Sequence, residues 1–452
     1  MRIQIRFPKI IFASLLITLA LFLSFTTQAQ HKKHPQDSTV KANNDYFKEN
    51  YMRAEDFIYK PNIKTVLLYR EGFVLTAPII KAYSSEKLVF SFDDLDGGTK
   101  RIKYTFIHCD AYWTVSDLMQ NEYLEGFYED DVADYKLSFN TLQKYTHYSL
   151  TFPTDRMKPI LSGNYLLKVY MEDNPDDILI TRRFMIVDNK VNITAVCDRP
   201  TIVEYRNYKQ QIDFSIDKTS YVIGNPYKDL KVIIQQNGRW DNAISNLQPL
   251  YVNGDKLDYN FEEGNVFSGG NIFREFDIKG MNFYTEFINK ITRDADGYSV
   301  YLKPEERKTF KVYSYRKGIY GQMFIKSDAN ITDSDIEAEY VHVHFFLKYD
   351  APLADGALYV CGALTDWRFT EDAKMKYNYD LKGYEANLYL KQGFYNYQYI
   401  FLENTKKVGD ETLIEGTHFE ADNQYTIYVY NREAGKIYDV LVGLKQFNTF
   451  SK

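Results

Sequence analysis

His108-Cys109-Asp110 places an imidazole, a thiol and a carboxylate in one short run. These are the residue types of thiol nucleophile catalysis, in which an adjacent base activates the sulfur. The apolar alternation upstream makes this run the end of a β-strand, and neighbouring strand residues point to opposite faces. Cys109 would therefore need a distant histidine, and no nucleophile motif marks one. His342 and His344 share one face of a strand, about 7 Å apart by strand rise, but a zinc site needs a third and fourth ligand and none is signalled. They read as a solvated or partner-facing pair. Asp93, Asp94 and Asp96 precede Gly97-Gly98 without the spacing of a calcium loop, and read as an acidic turn. Gly264, Gly269 and Gly270 lack the Lys and Ser/Thr of a phosphate loop. We assign no catalytic, metal or cofactor residue, and expect no cofactor and no enzymatic activity.

The elements around these residues are strands. Ile102, Tyr104 and Phe106 alternate with Lys103, Thr105 and Ile107, and Tyr148, Leu150 and Phe152 alternate with His147, Ser149 and Thr151. That is the period of a half-buried strand. Between them lies a connection, residues 110–134, longer than most loops in a folded domain. Its aromatic content argues for a packed surface loop with an interaction role. Trp113, Tyr123, Phe127 and Tyr128 are the anchor candidates, with Glu129, Asp130 and Asp131 as a charged rim, following the apolar-centre, polar-edge anatomy of protein interfaces.

A chain of 452 residues with 40 Tyr and 31 Phe has room for two to four domains and a composition that favours strands. We expect an all-β protein of tandem, immunoglobulin-like or early-set β-sandwiches. The predicted units are 51–188, a middle β-rich unit 189–335 closing at the polar Thr332–Asp335 run, and a C-terminal early-set-like sandwich 336–446. Asn237-Gly238 predicts a hairpin turn. Net charge is −6 with no basic stripe, which excludes a general nucleic-acid partner. Arg2, Arg6 and Lys9 precede an apolar run and Thr27-Gln28-Ala29, so residues 1–29 read as a cleaved signal peptide and 30–50 as a polar leader. The apolar run is too short to span a bilayer, and we expect no membrane span. Cys109, Cys197 and Cys361 fall in three different predicted units, so no disulfide is expected.

The segments FSFDDLD, YTFIHCDAYW, SDLMQNEYLEGF and FNTLQKYTHYSLTFP resemble the plug family of the Bacteroidetes type IX secretion system. The likeness continues through SGNYLLKVY, TRRFM, RNYKQQIDF, NPYKDLKVIIQQNGRWDNAI and YDAPLADGALYVCGALTDW. It implies a periplasmic protein, peripheral to the outer membrane, that seats against the periplasmic mouth of the translocon β-barrel and closes it when idle. A second likeness, in LYVCGALTDW, YEANLYLKQGFYNYQYIFL and YTIYVY, is to early-set glycogen-binding modules. In that family's pattern Trp367 stands where a sugar-stacking Trp does and Gln398 where a Lys does, while the second stacking Trp has no counterpart. We expect Trp367 to be a structural plug on its hairpin. The alternative function is a periplasmic carbohydrate-binding protein using Trp367 and Gln398.

Overall fold

In the computed structural model, which describes residues 51–295, 297–329 and 332–449, the strand predicted over 101–109 runs Ile102–Cys109, with Ile102, Tyr104 and Phe106 buried in an apolar core. Its neighbours Asn174–Val187, Gly163–Met171 and Asp130–Asp131 build one sheet of the first sandwich. The facing sheet is ordered Ile63–Arg70, Leu88–Asp94, Thr146–Phe152, Asp134–Leu137. Phe90, Phe92, Tyr148, Phe152, Tyr165 and Phe184 fill the space between. The helices among the described residues are single turns of three or four residues, so the all-β expectation holds.

The first sandwich is covered on both outer faces as well. Behind one sheet, Cys109, Leu166, Met185 and Val187 join Ile233, Tyr428, Tyr430 and Leu441 of the second sandwich in a separate apolar cluster. Behind the other sheet, Asp93 and His147 meet Tyr340 and Lys391 of the third sandwich. The strand Gly163–Met171 accordingly buries consecutive residues, Leu166 and Leu167. Strict alternation fails there because both faces are dry.

The second and third units depart from the predicted boundaries. Leu230–Gln236 pairs with Arg239–Leu247 through the Asn237-Gly238 turn, as predicted, with φ 52° and 77° at the two turn residues. On its other edge, however, it pairs with Gln424–Asn431, which in turn pairs with Val440–Asn448. Tyr425, Ile427, Val429 and Val442 complete the core of the second sandwich with Ile212, Phe214, Val232 and Ile234. The YTIYVY strand therefore belongs to the middle sandwich, not to the early-set-like one. Conversely, Arg274–Asp277, Ile288–Asp294 and Gly297–Leu302 lie in the third sandwich, where Phe276, Ile288 and Val300 pack with Val343, Phe345, Leu358 and Tyr397. The third sandwich is thus an insertion between Val266–Ser268 and Gln424–Asn431 of the second. The Thr332–Asp335 run is no boundary: Asp333 caps the short helix Ser334–Glu337, inside the insertion.

The two chain crossings into the insertion are clasped by polar side chains. Asn423, buried, donates to Gln210 Oε1 (2.9 Å) and to the Gly269 carbonyl (2.7 Å), and accepts from Asn237 Nδ2 (2.7 Å). Buried polar groups stabilise only when paired in this way. At Gly269 any Cβ would stand 2.1 Å from the His418 carbonyl oxygen, so the crossings approach closely only because that residue is glycine. The described residues from 52 onward form one compact unit.

Candidate functional site

The 110–134 connection divides into three parts with different fates. Its first turn docks inward. The Asp110 carboxylate accepts from the backbone N–H of Tyr112 and Thr114, both at 2.9 Å, which places Trp113 in the left-handed region at φ 66°. The Trp113 ring meets Trp240 of the second sandwich edge-on at 5.5 Å, and Arg183 lies 4.6 Å over it. Nearby, the Ala111 N–H donates to Asp439 Oδ2 (2.9 Å), and Tyr112 Oη donates to Asn246 (2.7 Å). The second part returns to the first core. Tyr123, on the turn Gln120–Tyr123, donates to the Phe106 carbonyl at 3.3 Å.

Trp113 and Tyr123 are only 5% and 4% exposed. This corrects the reading of both as surface anchors: each gains by burial in its own fold, as large aromatics do. Phe127 and Tyr128, 56% and 46% exposed, do face solvent, ahead of the short strand Asp130–Asp131. That strand edges one sheet and Asp134–Leu137 edges the other, so this stretch forms a single lateral edge of the first sandwich. Glu129 pairs with Lys103 (2.7 Å) and accepts from Tyr170 (2.6 Å); these bonds hold its carboxyl below the usual range. Asp130 pairs with Arg156 (3.1 Å), whose guanidinium lies 5.2 Å over Phe127. Asp131 is exposed beside them. The same edge continues into exposed Tyr135, Leu137 and Phe139, three residues not foreseen from the sequence although their every-second-residue spacing was visible in it. The arrangement is an apolar row bordered by acids, suited to binding a partner surface.

The remaining candidates resolve as structure. His108 and Cys109 do point to opposite faces. Burial holds the His108 imidazole down to about 4 and pushes the Cys109 thiol up to about 12, so at neutral pH the imidazole is neutral and only weakly basic and the sulfur stays a thiol, not the thiolate a nucleophile needs. His342 lies tilted against Tyr389 (4.6 Å) and His344 stacks on Tyr301 (4.3 Å), and no group of three or more metal-ligating side chains occurs among the described residues. Asp93 is not part of an open acidic turn: it is fully buried between the first and third sandwiches. The half-buried Trp367 ring lies edge-on to Phe273 at 6.0 Å and 5.9 Å from the Arg239 guanidinium of the second sandwich. Gln398, 6% exposed, sits in Gly393–Glu403 opposite Cys361. Its strand is paired at both edges and packed on both faces, so Gln398 is no sugar contact.

A family model described as type 9 secretion system plug protein, first domain, matches residues 63–188, the first sandwich. The crystal structure of a hypothetical protein from Parabacteroides merdae is 34% identical, covering 88% of this chain and 100% of that one, with a TM-score of 0.85. Dimeric latent PorU from Porphyromonas gingivalis, at 12% identity over 86% of this chain and 34% of that one, has a TM-score of only 0.15. No curated protein matches.

Proposed function

The chain belongs to the type 9 secretion system plug family, and from that premise we propose that it closes the periplasmic mouth of the system's outer-membrane β-barrel by steric occlusion. The observation that carries the reading is the family match over the first sandwich. The fold is consistent with it. A stopper must resist deformation, and the three sandwiches are cross-tied by buried ion pairs, Asp93–Lys391, Arg182–Asp366 and Arg239–Glu411. In this reading the protein is a non-enzymatic, periplasmic, outer-membrane-peripheral component. Residues 1–29, the signal peptide it requires, lie outside the described residues.

The barrel-facing surface in this proposal is the lateral edge of the first sandwich. Phe127 and Tyr128 anchor it together with Tyr135, Leu137 and Phe139, and Glu129, Asp130 and Asp131 form the rim. Apolar anchors inside and charges outside allow firm seating with release during transport. The test is affinity capture of the tagged chain from detergent-solubilised outer membranes. The proposal expects a large β-barrel protein to co-purify, and a chain that captures no barrel overturns it.

A further inference from the structure

Residues 303–317 form a basic arch on the inserted sandwich. Six basic residues, Lys303, Arg307, Lys308, Lys311, Arg316 and Lys317, stand against two acids, Glu305 and Glu306, in a chain whose net charge is −6. Both feet of the arch are fixed. Lys308 N–H donates to the Ile414 carbonyl (2.8 Å), its partly buried ammonium to the Ile272 carbonyl (2.9 Å), and Thr309 Oγ1 to the Leu413 carbonyl (2.8 Å). At the other foot Arg316 pairs with Glu286 (2.7 Å) and Glu275 (3.1 Å). Tyr313 turns inward, its ring 5.7 Å from His418.

Between these feet the arch presents apolar tips. Phe310 is 85% exposed, Val312 93% and Tyr315 62%. Single exposed apolar side chains are common. Three within six residues, on a segment tied down at both ends, are not.

We propose that this arch is a contact for an anionic lipid surface. Its two nearly bare apolar side chains suit entry between lipid headgroups. Lys311, in a long, exposed ion pair with Glu306 (3.4 Å), lies between the tips, and Arg307 and Lys317 flank them, where cations meet lipid phosphates. Lysines are depleted in protein–protein interfaces, so a lysine between the tips favours lipid over a protein pocket. Long basic side chains can keep their charge at headgroup level while the neighbouring residues are immersed. The contact is independent of the channel reading: it holds or fails whatever the lateral edge of the first sandwich binds.

The test is co-sedimentation of the full chain with vesicles of phosphatidylethanolamine and phosphatidylglycerol, against pure phosphatidylcholine. The chain binds the anionic vesicles, and binding weakens as salt is raised. A Lys311→Gln/Lys317→Gln variant loses about twenty-five-fold, roughly fivefold for each cation removed near an anionic surface. A Phe310→Ser/Val312→Ser variant falls to the phosphatidylcholine background with an unchanged melting temperature, because both side chains are already in water. Binding no stronger than to phosphatidylcholine, or full binding by both variants, overturns the assignment. So does loss of barrel capture by the Ser variant when the wild-type chain binds no vesicle, which would make the arch a protein contact.

Discussion

Lys391 Nζ lies 2.6 Å from Asp93 Oδ2, with the two side chains 1% and 0% exposed. The pair joins the third sandwich to the first. Tyr340 Oη donates to the same carboxylate oxygen (2.6 Å), His147 Nδ1 lies 2.7 Å from the other, and Lys391 also donates to the Asp335 carbonyl (2.7 Å). Burial pushes the Asp93 carboxyl up, but the Lys391 charge and the His147 bond more than offset it, and the net direction is down.

Breaking this pair from one side strands a charge without solvent. Lys391→Met and Asp93→Ala should each cost about 3–5 kcal/mol, the range for removing one partner of a buried ion pair. The double replacement should cost less than the sum of the two. Chemical denaturation of the three variants checks this, and additive losses would contradict it.

The same pair sets a pH dependence. The folded carboxyl of Asp93 lies below its unfolded value of about 3.9, so its contribution is complete above that pH and is lost as pH falls through the folded value. The stability gap between wild type and Asp93→Asn should therefore narrow below about pH 4. Thermal melts across an acid series measure it. A gap that widens toward low pH would contradict the assignment.

Because the second sandwich takes its last two strands from beyond the insertion, a chain ending at Asp335 should not fold its middle unit. Limited proteolysis of that fragment should spare the first sandwich and degrade residues beyond about 189, the predicted start of the second unit. A protease-resistant 189–335 piece would restore the boundaries expected from the sequence.

Those boundaries show where sequence reading ran out. Alternation identified the strands 102–109 and 146–152, because one-sided burial writes itself into side-chain order. Asn237-Gly238 identified a turn through its own backbone preference. Which strand pairs with which is a non-local choice. Tyr425, Ile427 and Val429 read equally well as an edge of either sandwich. Burial direction within 110–134 was equally hidden. Trp113 faces inward because the Asp110 turn aims it at Trp240, and Trp240 lies far away in the chain. Asp93 resembled an open turn because its partner Lys391 ends a remote strand.

The anchors separate by variant. Trp113→Ala should cost about 3–5 kcal/mol, the range for a buried large aromatic. Phe127→Ala/Tyr128→Ala should stay near wild-type stability, within about 0.5 kcal/mol per site, and should weaken barrel capture. Full capture by this folded variant would move the contact elsewhere on the molecule.

The most direct test of the channel reading is permeability. In a strain lacking this gene, the outer membrane should admit antibiotics too large for ordinary porins while cargo secretion largely persists, and re-expression of the wild-type chain should restore the barrier. An unaltered barrier in the deletion strain would contradict the account.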